Sequence, residues 1–226
     1  MENKAILSIK DLTIGYGGKA LCSDISFDIC EGDCIMLCGA NGSGKTTLMK
    51  HLVGTRSLEC IMIPARIPKI SGFTLREFVR ISCFSRSDLY GKLSPSEEAD
   101  MNHAIERLGL SHLADRDIST LSDGEFQKAG IASALVRKAA IIMLDEPTAF
   151  LDAENRINVL NTLRSICDSH TDNRRPAIIF STHDLHDGLA VCTKVFALGA
   201  DGHLHISPAD SQEAKSATVS KIFRNR

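Results

Sequence analysis

The chain opens with two alternating stretches. Leu7 to Tyr16 alternates apolar and polar positions weakly and Ala20 to Ile29 more clearly, and each predicts a strand. Cys34 to Cys38 and Cys60 to Ile63 are short apolar runs that also read as strands, with a glycine-rich turn and a helical pattern from Gly44 to Val53 between them. From about Thr74 to Lys138 the pattern becomes helical. Thr74 to Ile81 has helical spacing, and Ser94-Pro95-Ser96-Glu97 is a capping box with proline at the first helical position, predicting a helix to about Leu108. A second capping box, Ser122 to Glu125, opens a helix running to Lys138. Strands then return. Ala140 to Leu144 is a continuous apolar run, as expected of a buried parallel strand. Ala177 to Ser181 and Lys194 to Leu198 follow, and His203 to Ile206 after the turn pair Asp201-Gly202. Asp152 to Asp168 is helical, residues 168–176 form a polar surface loop, and the tail from Pro208 is at most a short amphipathic helix. The pattern describes an α/β core interrupted by an all-helical insertion at about residues 75–137, with no internal repeat.

Composition narrows the class. A chain of 226 residues fits one large domain, or one with an insertion. A formal net charge of −2 excludes a generally basic nucleic-acid binder. No apolar run approaches the ~20 residues that cross a bilayer, and the polar start MENKAILSIK does not suit a signal peptide, so the expectation is a soluble, cytoplasmic chain. That expectation argues against a disulfide framework for Cys22, Cys30, Cys34, Cys38, Cys60, Cys83, Cys167 and Cys192. The even spacing of Cys30, Cys34 and Cys38 suggests a metal site. However, they form no CxxC pair, no histidine lies beside them, and two fall in an apolar run where cysteine packs as a small hydrophobe.

The candidate chemistry starts at Gly39-Ala40-Asn41-Gly42-Ser43-Gly44-Lys45-Thr46, which fits GxxxxGK[ST] between an apolar strand and a helix. Glycines let successive N–H groups turn inward toward phosphate oxygens, and the helix start adds its positive end. Lys45 supplies a point charge for the β- and γ-phosphates, and Thr46 a hard oxygen for Mg2+. Ile141-Ile142-Met143-Leu144-Asp145-Glu146-Pro147 places two acids at the carboxyl end of a strand, where open α/β sheets bind ligands. Asp145 suits Mg2+, and Glu146 a general base for a water in line with the γ-phosphate. Two acids ending a strand mean little alone; the phosphate loop gives them their significance.

Leu121-Ser122-Asp123-Gly124-Glu125 stands about twenty residues before Asp145. With these motifs the sequence resembles the ATP-binding subunits of ABC transporters, whose signature reads LSGGQ. The resemblance covers nearly the whole chain. It implies a single nucleotide-binding domain over residues 1–226, with a P-loop core, a mostly parallel sheet, an antiparallel β portion near the N-terminus and the helical subdomain. By resemblance, Tyr16 stacks on adenine, and Gly39, Asn41, Gly42, Ser43, Gly44, Lys45, Thr46 and Thr47 hold the phosphates. Leu151-Asp152 looks like the loop that crosses to a second subunit, and Ser181-Thr182-His183-Asp184 like the switch-histidine segment, His183 bonding the γ-phosphate. Two copies would sandwich two ATP molecules, with Ser122, Gly124 and Glu125 of one facing the loop of the other. His203 and His205, on alternate positions of one strand, read as surface residues.

Two positions depart from the family. Ala65 occupies the place of a glutamine that helps hold Mg2+, and its neighbour Arg66 cannot coordinate a cation. Asp123 replaces a glycine and, with Glu125, brings negative charge to the turn that faces a phosphate. Both changes predict weaker coupling or slower turnover. Ser71 to Val79 and Leu110 to Arg116 resemble importers of iron complexes, haem and cobalamin. The resemblance therefore implies an ATP-hydrolysing import motor at the inner face of the cell membrane, working with permease subunits and a substrate-binding protein and binding no nucleic acid. A non-transport ABC ATPase, a P-loop small-molecule kinase and a nucleotide sensor with weak turnover are the alternatives.

Overall fold

Strands β1 (Ala5–Tyr16) and β2 (Lys19–Cys30) form an antiparallel two-stranded sheet, with Tyr16 paired to Lys19. The turn residues Gly17 and Gly18 sit at φ 59° and 80°, the two positive values that a tight right-twisted hairpin demands. This computed structural model describes residues 4–55, 60–85, 92–169, 175–207 and 211–223.

The second sheet has six strands: β3 (Cys34–Gly39), β4 (Cys60–Ile63), β5 (Ile141–Leu144), β6 (Ala177–Ser181), β7 (Lys194–Leu198) and β8 (Leu204–Ile206). Their order is β4-β5-β6-β3-β7-β8, parallel except for the β7–β8 pair. Every residue of β3, β5 and β6 is buried, as a parallel sheet covered on both faces requires. Period-two alternation divides the core. Ile35, Leu37, Ile141 and Met143 point into the cluster shared with the hairpin and with helix α1 (Lys45–Thr55). Met36, Ile142, Leu144 and Phe180 point into the cluster shared with the other helices.

Helices α2 (Leu75–Ile81), α3 (Pro95–Arg107) and α4 (Asp123–Val136) stand between β4 and β5 in sequence, and α4 packs against both others. Each is opened by a reciprocal capping box: Thr74 with Glu77, Ser94 with Glu97, and Ser122 with Glu125. Helix α5 (Ala153–Asp168) is capped by Asp152. Helix α6 (Leu185–Val191) was not expected from the sequence pattern; Asp184 caps it, and its seven residues are too few to display a clear period. Helix α7 (Gln212–Phe223) has twelve residues, more than the short helix expected of the tail. Its Lys215 is buried and donates to the carbonyls of Cys192 and Leu189 at the end of α6.

Seven cysteines are buried and Cys30 is half-buried, and all eight are free thiols. Most of the polar loop expected at 168–176 and the start of the tail at Pro208 lie outside the described residues. No described helix is long and apolar enough to cross a membrane.

Candidate phosphate site at the carboxyl edge of the sheet

The loop after β3 is built around glycines held by close contact or by backbone conformation. A Cβ on Gly39 would lie 2.6 Å from Ser43 Oγ and 2.8 Å from the Leu198 carbonyl oxygen. Gly42 and Gly44 have φ of 78° and 104°, which L side chains rarely adopt. Gly44 is also tight against Ile14, so strand β1, which ends at Tyr16, flanks the loop. Tyr16 itself is 83% exposed. Asn41 is exposed and Thr47 half-buried.

Lys45 is buried, and its Nζ donates to the carbonyls of Gly39 at 2.9 Å and Ala40 at 3.2 Å, which sets the ammonium within the curl. Ser43 Oγ is buried with no partner among the described residues. A buried hydroxyl without a bond is costly, and in a glycine-rich loop at a helix start it suits the oxygen of a phosphate or the cation on one.

The ends of β5 and β6 meet the start of α1 beside this loop. Thr46 Oγ1 donates to Asp145 Oδ2 at 2.7 Å, and Ser181 Oγ donates to Asp145 Oδ1 at 2.8 Å. The Glu146 N–H donates to the same Ser181 hydroxyl at 2.8 Å, and Glu146 Oε1 pairs with His183 Nε2 at 2.7 Å. Glu146 has φ 48°, uncommon for a non-glycine residue, and the Ser181 bond helps hold its backbone there. The two hard oxygens of Thr46 and Asp145 are the donor types Mg2+ takes. A carboxylate beside a histidine, at the mouth of a phosphate cradle, can accept a proton from water.

Two supporting residues were not given roles by the sequence. Ser181 is fully buried, and its double bond depends on β5 and β6 being neighbours. Arg156 pairs with Asp184 and lies 3.7 Å from Asp187, holding the start of α6 directly behind His183. A serine ending an apolar strand was the visible signal for the first; Arg156 offered none.

The other expected residues gather at the start of α4. Ser122 Oγ accepts from the Glu125 N–H at 3.3 Å, and Glu125 Oε2 accepts from the Ser122 N–H and hydroxyl at 2.8 Å each. The bond from the Ser122 N–H holds the Glu125 carboxyl below its ordinary pKa. Gly124 packs against Asn155, and Asn155 donates twice to Asp152, whose carboxyl is held low by the Asn155 backbone N–H. Among the described residues, no hydrogen bond joins this second cluster to the loop at 39–47. Asp123 does not stand as an isolated charge: Lys69 Nζ is 2.7 Å from its Oδ1. Ala65 is half-buried and offers no side-chain ligand, while the guanidinium of Arg66 lies 4.3 Å over the ring of Phe150. His203 is exposed, and the half-buried His205 bonds Asp201 at 3.0 Å.

Comparison with known proteins shows the family and the fold. The ABC transporter family profile matches residues 22–149. An aliphatic sulfonates import ATP-binding protein, SsuB 1 of Pseudomonas fluorescens, is 30% identical over 203 residues, covering 89% of this chain and 76% of that one. The iron(3+)-hydroxamate import ATP-binding protein FhuC of Bacillus subtilis is 28% identical over 202 residues, covering 80% and 74%. Among solved structures, an inward-facing metal-chelate type ABC transporter superposes with a TM-score of 0.84 over 98% of this chain and 90% of that one, at 24% identity.

Proposed function

The chain belongs to the ABC transporter family, and on that premise we propose that it is the ATP-hydrolysing subunit of an importer in which each ATP site is shared by two copies. The observation that carries this is the continuous set of hydrogen bonds from Thr46 through Asp145 and Ser181 to Glu146 and His183. Those bonds tie the phosphate loop to Glu146, the carboxylate that we assign as the base.

In this scheme Lys45 and the loop amides bind the phosphates, Asn41, Ser43 and Thr47 lie along the same cradle, and Tyr16 stacks on the adenine. Thr46 and Asp145 hold Mg2+, which when bound neutralises phosphate charge. Glu146 Oε1 is occupied by His183 Nε2, so Oε2 takes the proton of the attacking water. In the same reading His183 contacts the γ-phosphate. Ser122 and Gly124 at the start of α4 present helix amides, and these meet the γ-phosphate bound by the second copy, with Asp152 crossing between copies. The helices between residues 75 and 137 serve as a helical subdomain, and a groove bordered by the 64–90 region, part of which lies outside the described residues, transmits the work to the permease.

The cargo we propose is an iron complex, haem or cobalamin. The stretch from Ser71 to Val79, the hydroxamate-importer relative and the metal-chelate type structure support this, while the sulfonate-importer relative keeps a wider range of cargo in view. The subunit then lies at the inner face of the cell membrane through its permease, with a substrate-binding protein completing the system. Affinity purification of the full chain from membranes should bring down a polytopic permease. Recovery with ribosomes and no permease would overturn the transport assignment.

A further inference from the structure

Lys69 lies in the loop between β4 and α2, fifty-four positions before Asp123, yet it reaches the start of α4. Its Nζ donates to the Leu121 carbonyl at 2.7 Å and to Asp123 Oδ1 at 2.7 Å, and sits 5.6 Å from the centre of the Phe126 ring. One ammonium therefore bonds the residue before the cap and the first residue of the helix, and stands over the ring of the fourth. Leu121 and Phe126 are both buried, so the backbone that Lys69 grips is anchored on either side of the turn.

The charge at this turn poses a problem that Lys69 solves. The first amides of a helix lack intrahelical partners and attract anions. A carboxylate at the first helical position competes with any phosphate for those amides and repels it. The Asp123 side chain is 63% exposed, so it stands on the open side of the turn. With its Oδ1 drawn to Lys69, the carboxylate is turned toward the 64–74 loop and its charge is offset by a cation only 26% exposed.

We propose that Lys69 is a positioning residue of the ATP site: it neutralises Asp123 and fixes the Leu121–Asp123 turn so that the amides of α4 can receive the phosphate bound by a second copy. This rests on the shared-site function proposed above. Lys69 also makes the turn sensitive to the loop that carries Ala65 and Arg66, since any movement of that loop pulls on the ammonium.

The test uses the purified full chain and four variants: Lys69→Met, Lys69→Arg, Asp123→Gly and the Lys69→Met/Asp123→Gly double. ATPase kinetics, ATP-dependent dimerisation and the thermal midpoint are measured for each. Lys69→Met should raise KM for ATP about tenfold, the effect of a lost charged hydrogen bond near 1.4 kcal/mol, with a smaller change in kcat. Lys69→Arg should recover most of the loss. In the Asp123→Gly background the same lysine substitution should have little effect on KM, because no charge is left to offset. Equal losses in both backgrounds, or an unchanged KM with only a lowered thermal midpoint, would overturn the assignment. A parent chain that hydrolyses and dimerises with ATP while Lys69→Met behaves identically overturns this inference alone. A parent chain that forms no ATP-dependent dimer overturns the shared site and this inference together.

Discussion

Replacing Ser181 by alanine should damage both stability and turnover, because one fully buried hydroxyl serves two partners. It donates to Asp145 Oδ1 at 2.8 Å and accepts the Glu146 N–H at 2.8 Å. A neutral hydrogen bond contributes about 1 kcal/mol and one to a carboxylate about 1.5–3, so Ser181→Ala should cost about 2–4 kcal/mol. For a domain of this size that is a fall in thermal midpoint of roughly 6–12 °C. Asp145 keeps its bond from Thr46, so the loop persists and ATP affinity should change little. Glu146 loses the contact that holds its backbone at φ 48°, and with a shift near 1 Å the rate should fall by about tenfold to a hundredfold in kcat. Thermal unfolding and steady-state ATPase kinetics on the same preparation measure both. A midpoint within about 1 °C of the parent and an unchanged kcat would show that the serine bridge does not organise the acidic strand end.

Other consequences follow from single contacts. In Gly39→Ala the new methyl would meet Ser43 Oγ at 2.6 Å and the Leu198 carbonyl at 2.8 Å, so the loop must shift at about 1–3 kcal/mol; equilibrium binding should lose at least tenfold in ATP affinity, and parental affinity would contradict the geometry. The carboxyls of Glu77, Glu125 and Asp152 are held below their ordinary values by the backbone N–H groups of Thr74, Ser122 and Asn155. A depressed folded pKa adds stability above the unfolded pKa that is lost as pH falls through the folded one. Urea midpoints should therefore hold from pH 7 to about 5 and fall below about 4.5, and a midpoint rising on acidification would contradict the capping. Burial pushes the Cys38 thiol up to about 12 and Cys192 to about 11, so an aromatic disulfide reagent at pH 8 should leave the seven buried cysteines unlabelled until urea unfolds the chain. Rapid labelling of several thiols in the folded protein would mean that they are not packed as small apolar residues.

What the sequence displays best is local. The phosphate loop is eight consecutive residues whose strand and helix flanks are also contiguous, and the boxes at Ser94 and Ser122 span four residues each, so pattern and chemistry coincide. The apolar runs of β3, β5 and β6 are legible because burial on both faces admits no alternation. The features that escape are those made by distant pairs. Ser181 meets Asp145 only because Leu144 and Phe180 are registered on adjacent strands. Lys69 meets Asp123 across a loop, and Arg66 meets Phe150 in the same way. The negative charge expected of Asp123 is there, with a lysine 2.7 Å away to offset it. The missing ligand at Ala65 has no such counterpart, because a guanidinium over a ring is still no metal ligand. Ala65→Gln is thus the reversion expected to raise turnover, and Asp123→Gly the one expected to change it little.

The central claim, that Glu146 is the base of a site completed by a second copy, is tested most directly by Glu146→Gln. Loss of a general base should lower hydrolysis by about 10²–10⁴-fold while the loop at 39–47 still binds ATP. Sedimentation of that variant with ATP and Mg2+ should give twice the monomer mass, returning to the monomer when ADP replaces ATP. A variant that binds ATP yet sediments as a monomer, or that hydrolyses it at the parental rate, would contradict the account.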